Sequence, residues 1–283
     1  MLIAVETDRP VHFYARGDIF HKRWAAAILA HLHMIPIFSP DHGKANMVRN
    51  RDSFDVGEQV LRKKGLLLIF PEGTSRLERV MLPLKKGTAR VALQTEAQAG
   101  FQAGLQVFPV GVNYSEHRFR ADVLLCYGEP TRIDHYGALH AEEPARAVNK
   151  LTAELERKFI PTVLAVRQPE RSDLLGMLIR MLRNDTLAGR RYHPAQYKRE
   201  LQLCNTVSAW DESIASARIA EGEEYGQLLK RHDLLDRVVP DERPRIWLSL
   251  LMLLVGTLSP GGTRGTASVT GRRTVGGGVG EPT

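Results

Sequence analysis

Between residue 11 and about residue 160, short apolar runs alternate with stretches of helical period, the pattern of an α/β domain. Val11-His12-Phe13-Tyr14-Ala15 and Met34-Ile35-Pro36-Ile37-Phe38 have the length and content of strands. Between them Ile19 to Leu32 reads as a helix with Trp24, Ile28 and Leu32 on one face. Phe54 to Lys64 predicts a second helix, closed by Gly65 as its C-cap. Leu66-Leu67-Leu68-Ile69-Phe70 is continuously apolar and predicts a strand covered on both faces. A helix is expected from Gly87 to Ala99, strands over Val107–Val112 and Val123–Tyr127, and a charged amphipathic helix from Glu142 to Phe159.

After Pro161 the pattern becomes helical throughout, with helices predicted over Leu174–Leu182, Pro194–Ala217 and Glu223–Val238. The expected fold is therefore an α/β core over residues 1–160, a mixed sheet flanked by helices, followed by a C-terminal helical appendage over residues 161–255. From Gly256 to Thr283 the chain is Gly, Thr, Arg, Ser and Val without apolar period, too poor in buriable surface to order, so a disordered tail is expected. Its abrupt onset inside an apolar run is what a shifted reading frame would give.

Composition narrows the class. With 283 residues, 43% of them hydrophobic, the chain can bury a full core. Cys126 and Cys204 are too few for a disulfide framework and have no metal-ligand spacing, so a reduced environment and no metal are expected. The net charge of +7 suits a polyanionic partner, nucleic acid or an anionic membrane face. No nucleic-acid module and no arginine stripe interleaved with exposed aromatics is found, which favours the membrane. Met1 to Val5 runs straight into Glu6-Thr7-Asp8-Arg9, so no signal peptide is read. The apolar run Ile246–Val255 falls short of the roughly 20 residues that cross a bilayer. It suits a buried helix or a segment dipping into one leaflet.

The candidate chemistry follows the apolar strand. In Phe70-Pro71-Glu72-Gly73-Thr74-Ser75-Arg76 a glycine turn exposes backbone N–H groups, and Arg76 adds a bidentate ligand for phosphate. Glu72 would orient a cation or hold a substrate hydroxyl. Leu84-Lys85-Lys86-Gly87-Thr88-Ala89-Arg90 brings three more cations around a second glycine that opens a helix. On these residues alone, a phosphate-binding surface and an ordinary strand-turn-helix with solvated charges are both open.

Phe70-Pro71-Glu72-Gly73-Thr74 resembles the E-G-T block of the phospholipid and glycerol acyltransferase family, which includes the 1-acyl-glycerol-3-phosphate acyltransferases. Met34–Phe38 resembles the strand of that family's second block. Leu84–Ala89 resembles its K-x-G helix start, and Val107-Phe108-Pro109-Val110-Gly111-Val112-Asn113-Tyr114 its proline-containing fourth block. The resemblance implies a glycerol-3-phosphate acyltransferase-like core that moves an acyl group from acyl-CoA or acyl-carrier-protein, as co-substrate and not cofactor, to a glycerol-phosphate acceptor such as 1-acyl-glycerol 3-phosphate. It implies a place in phospholipid synthesis with membrane lipid as partner, while the basic excess, the Ile246–Val255 run and the cysteine usage lead to an expected peripheral or shallowly inserted position on the cytoplasmic side. It assigns substrate phosphate to Glu72, Gly73, Thr74 and Arg76, with Lys85, Lys86 and Pro109 in support.

Two departures accompany the resemblance. The family's His-x₄-Asp block, whose histidine deprotonates the acceptor hydroxyl while the aspartate holds the imidazole, is expected ahead of Leu2. No catalytic residue is therefore assigned, and a core truncated at its start is expected to be inactive. The second block's terminal arginine is replaced by Ser39-Pro40, with Arg49 and Arg51 as possible substitutes. His117 and Asp122 do have His-x₄-Asp spacing, but they follow the fourth block and are not read as the catalytic pair. His31 and His33 flank a helix end and read as packed or solvated, and His12 lies on a strand without a carboxylate at useful spacing. There is no Gly-x-Ser-x-Gly elbow and no Walker loop. The alternative to the enzyme is a non-catalytic lipid- or phosphate-binding member of the same family.

Overall fold

The structure, a computed structural model, describes residues 7–38, 44–74, 76, 78–115, 122–187 and 193–232. The run Ile246–Val255, the tail from Gly256, the end of the last predicted helix and His117 lie outside the described residues.

Strands β1 (Val11–Arg16), β2 (Met34–Ile37) and β3 (Leu66–Leu68) form a parallel ladder in the order β2-β1-β3. Phe13 of β1 lies opposite Met34 on one side and Leu68 on the other. A 3-10 turn, Gly17–Phe20, and helix α1 (Arg23–His31) connect β1 to β2, and helix α2 (Lys44–Arg62) leads to β3. Tyr14 of β1 seats its hydroxyl against Gly57 of α2, where a Cβ would meet the oxygen at 2.1 Å, so only glycine lets the helix come this close.

The C-cap of α2 differs from expectation in an instructive way. The left-handed residue is Lys64, at φ 58°, and Gly65 is the next position, donating its N–H to Val60 O at 2.8 Å in a Schellman pattern. Gly65 is glycine because a Cβ there would meet Val60 Cγ1 at 2.6 Å, not because its φ is positive. The apolar run after it is also corrected. Only Leu66–Leu68 is strand, each residue half-buried at the edge of the described ladder, and Phe70 is exposed.

Helix α3 (Gly87–Gln98) follows, then β4 (Gln106–Val107), β5 (Val110–Tyr114), β6 (Val123–Tyr127) and β7 (Thr131–Arg132). The single strand expected over 107–112 is two, because Pro109 brings no N–H to a ladder and breaks it. β4 pairs with β7 and β5 with β6, both antiparallel, so parallel and antiparallel strands occur in separate small ladders. Helices α4 (Gly137–Glu142) and α5 (Pro144–Phe159) close this half. Leu93 of α3, Ile133, and Leu151 of α5 are wholly buried at the centre of its core.

The helical part comprises α6 (Ser172–Leu187), α7 (Pro194–Ala209) and α8 (Glu212–Arg231). The helix expected over 194–217 is broken at Trp210-Asp211, since Asp211 accepts from Ile214 N at 2.9 Å and caps a new helix. Buried Arg171 closes the old one, donating to Val207 O at 2.9 Å and Trp210 O at 3.0 Å and reaching Glu212 at 3.1 Å. Arg183 of α6 and Glu200 of α7 form a buried bidentate pair, both bonds 2.7 Å, and Arg183 also donates to Ser115 O. Asn113 on β5 donates to Thr162 O and accepts from Leu164 N, each at 2.8 Å. Among the described residues no helix is long and apolar enough to cross a membrane.

Candidate functional site

The two glycine turns that are fourteen positions apart in sequence, at Gly73 and Gly87, meet in space as one structure. Gly73 N donates to Phe70 O at 3.1 Å, closing a turn directly beyond β3, and Gly73 takes the left-handed φ of 69°. Lys85 N donates to Pro71 O at 2.8 Å, and Leu82 N donates to Glu72 Oε1 at 3.0 Å. The Lys85 side chain lies over Gly73, where a Cβ would sit 2.7 Å from Nζ. One Glu72 oxygen thus ties Leu82 to the turn, while Arg76, Lys85 and Lys86 are exposed. Lys86 is the N-cap residue of α3, so two ammonium groups stand beside the positive end of a helix.

These residues line an open cleft of about 2780 Å³. Glu72, Gly73, Thr74, Arg76, Lys85, Lys86 and Pro109 all border it, as do Arg49 and Arg51. Thr88 at the start of α3 also borders it, and its buried hydroxyl has no hydrogen-bond partner among the described residues. Pro109 is buried and works through its backbone, with Pro109 O accepting from Gly128 N at 2.8 Å. Arg49 places its guanidinium 5.0 Å from the Phe38 ring centre, and Asn50 grips the Phe38 backbone on both sides at 2.8 and 2.7 Å. The end of β2 is thereby tied to α2 at the rim of the cleft.

Two cleft residues carried no signal in the sequence. Arg79 donates its own N–H to Ser172 Oγ at 2.9 Å and a guanidinium N–H to Tyr114 O at 3.4 Å, so only the fold brings it to this place. Glu58 of α2, buried between helices and bonded by Gln98 Nε2 at 2.7 Å, has its carboxyl raised by burial above the ordinary range.

The histidines are placed plainly. His21 is the histidine that lines the cleft among the described residues, and the nearby Asp18 carboxylate is bound by Arg16 at 2.6 and 3.1 Å. That hydrogen bond holds Asp18 below the usual carboxylate range. The His12 and His33 rings lie 4.6 Å apart at a 48° tilt, off the cleft, and burial lowers the His12 pKa. Asp122 closes the β5–β6 hairpin through its backbone, bonding Ser115 both ways at 2.8 and 2.9 Å. Asp18 and His21 both border the cleft and interact electrostatically, but the Asp18 hydrogen bonds go to Arg16.

Comparison with known proteins gives the same direction. The family model described as Acyltransferase matches residues 1–113. Over 113 residues the chain is 34% identical to glycerol-3-phosphate O-acyltransferase 2 of Saccharomyces cerevisiae, covering 39% of this chain and 15% of that protein. It is 38% identical over 132 residues to an uncharacterized acyltransferase of Schizosaccharomyces pombe, 45% of this chain and 18% of the relative. The 1-acyl-sn-glycerol-3-phosphate acyltransferase of Bacillus subtilis is 25% identical over 159 residues, 53% of this chain and 70% of that protein. The chain thus spans less than a fifth of the length of either yeast relative. No solved structure matches. Residues 1–113, which hold the parallel ladder, the Gly73 turn and α3, are the part of this chain that matches the acyltransferase family model.

Proposed function

We propose that the cleft takes a glycerol-phosphate-type acceptor, 1-acyl-glycerol 3-phosphate or glycerol 3-phosphate, for acyl transfer from acyl-CoA or acyl-carrier-protein in phospholipid synthesis. The observation that supports this most is the clamped Gly73 turn, which lays Lys85 over Gly73 next to Lys86 at the start of α3, with Arg76, three residues beyond Gly73, bordering the same cleft. A phosphate there meets a guanidinium fork, two ammonium groups and a helix N-terminus at once. The relatives' names point to the same acceptor class. In this reading the protein works at the cytoplasmic face of a membrane, where its acceptor resides.

Titration calorimetry with glycerol 3-phosphate and with glycerol tests the acceptor site. Binding of the phosphorylated compound alone, lost in Arg76→Ala and weakened in Lys85→Ala, is expected. Equal affinity of both variants for glycerol 3-phosphate would remove the turn from the site.

A second reading, binding without turnover, is favoured by one observation. The cleft presents cations for the acceptor, but the carboxylate near its described histidine, Asp18 beside His21, gives its hydrogen bonds to Arg16. General-base assistance contributes about 10²–10⁴-fold. The 283-residue chain is accordingly expected to bind acceptor yet show no acyl-CoA-dependent acylation of it. Turnover that disappears in His117→Ala would establish the enzyme reading and place the base in the β5–β6 connection.

A further inference from the structure

Helix α1 is apolar in content yet has no buried residue. An amphipathic helix normally turns its apolar stripe to the core. Here Ala25, Ala26 and Leu29 are the half-buried positions, while Trp24 is 65% exposed, Ile28 54% and Leu32 40%. Ile19, in the preceding turn, is 47% exposed and extends the stripe. Trp24, Ile28 and Leu32, four residues apart, share one side of the helix and form a patch, with exposed Ile19 in the turn before it, where scattered single ones would need no account.

The charges around the stripe say what suits it. From Ile19 to Pro40 the sequence holds no carboxylate, while His21, Lys22 and Arg23 stand immediately before Trp24, all exposed. Lys22 is the N-cap and Arg23 the first helical residue, so two cations sit at the positive end of the helix with no acidic residue in its first turn. That placement is unfavourable in isolation and is relieved by an external anion. The stripe is also continuous with the cleft, since Ile19 and His21 line it.

We infer that α1 is the surface by which the protein docks on an anionic lipid bilayer. Trp24, Ile28, Leu32 and Ile19 enter the acyl boundary while Lys22 and Arg23 meet lipid phosphates at the headgroup level. The inference rests on the reading of the cleft as a lipid-acceptor site, because docking through α1 sets the cleft's rim at the plane from which such an acceptor is drawn. An amphipathic segment of this kind holds by apolar area plus charge, so its attachment is reversible and salt-sensitive.

The test uses the full chain with vesicles of phosphatidylcholine and phosphatidylglycerol, against vesicles of phosphatidylcholine alone. Sedimentation should show binding to the anionic vesicles that weakens with salt. Trp24→Glu with Ile28→Glu should lower the partition coefficient by about tenfold or more, and Lys22→Ala with Arg23→Ala should flatten the salt dependence. With Trp210→Phe and Trp247→Phe leaving Trp24 as the sole indole, brominated lipid should quench its fluorescence. No vesicle binding by the wild type, unchanged binding by the Glu double variant, or an unquenched Trp24 would each overturn the proposal. So would a dimer in light scattering that the Glu double variant splits, since a second copy would then cover the stripe. Neither Trp24 nor Ile28 lines the cleft, so calorimetry with glycerol 3-phosphate reports the acceptor site separately. Intact glycerol 3-phosphate binding beside absent vesicle binding sinks α1 docking alone, while an unaffected Arg76→Ala sinks the acceptor site alone.

Discussion

The basic residues of the helical part and those of the cleft live under opposite conditions. Arg171 and Arg183 are buried, and each meets a carboxylate together with backbone carbonyls. Arg76, Lys85 and Lys86 stand exposed on the two segments that meet at the left-handed Gly73, over which Lys85 lies. A buried guanidinium without partners would be prohibitively costly, so its bonds are conditions of folding. Cations gathered on an exposed turn repel one another and gain little for stability, so their company makes sense only when an anion arrives. The same residue type therefore reports architecture in one place and, under the proposed function, binding in the other.

That contrast can be broken in a defined order. Glu200→Ala, which removes the buried carboxylate paired with Arg183, is expected to cost about 3–5 kcal/mol in urea unfolding. Arg183→Met combined with Glu200→Leu should cost much less than the single change, because both charges of the pair are then removed. Arg76→Ala should do the reverse of Glu200→Ala. Unfolding should move by no more than about 0.5 kcal/mol, while glycerol 3-phosphate affinity falls by about 1.5–3 kcal/mol in calorimetry. If Arg76→Ala unfolds the protein instead, the exposed cations are structural and the contrast collapses.

Gly73→Ala lies between the two classes. Its left-handed backbone costs an alanine roughly 1–2 kcal/mol, and the new methyl must displace the end of Lys85. Both unfolding free energy and glycerol 3-phosphate affinity should drop, which no other single change here is expected to do.

The smallest effect is a pH dependence. Burial raises the Glu154 carboxyl, but hydrogen bonds from Tyr136, at 2.6 Å, and from Lys158 outweigh it and leave the pKa below the ordinary range. A depressed carboxyl contributes stability that is complete above its unfolded value and is lost as pH falls through the folded one. Tyr136→Phe should thus cost about 1 kcal/mol at neutral pH, and that difference should shrink as the acid limb is entered below about pH 4.5. A difference unchanged in acid would deny Glu154 this role.

Much of the N-terminal architecture was legible, because β1, β2 and α3 each carry a clean apolar period bounded by turn residues. The turns were less so. Gly65 signalled a helix end correctly but for the wrong atom, since the left-handed angle fell to Lys64 and the glycine answers a contact with Val60. The break at Trp210-Asp211 was hidden because both flanking segments have helical period, and only the Asp211 cap and Arg171 on the last carbonyls divide them. At the site, the motif residues Gly73, Arg76 and Lys85 were visible as two separate turns. Their union depends on the Lys85–Pro71 and Leu82–Glu72 bonds, which no spacing announces. Arg79 was invisible, since its partners Tyr114 and Ser172 are distant in sequence.

Asn113 is the last residue of the acyltransferase match, yet its amide imitates a missing peptide unit for the segment 49 to 51 positions later. Gly111 beside it admits the Thr162 carbonyl into space that any Cβ would fill, at 1.8 Å. On the ribosome, β5 therefore emerges well before the groups that seal it. Until residues 162 to 164 leave the exit tunnel, the strand presents an unsealed edge, with water in place of Thr162 and Leu164 on the Asn113 amide.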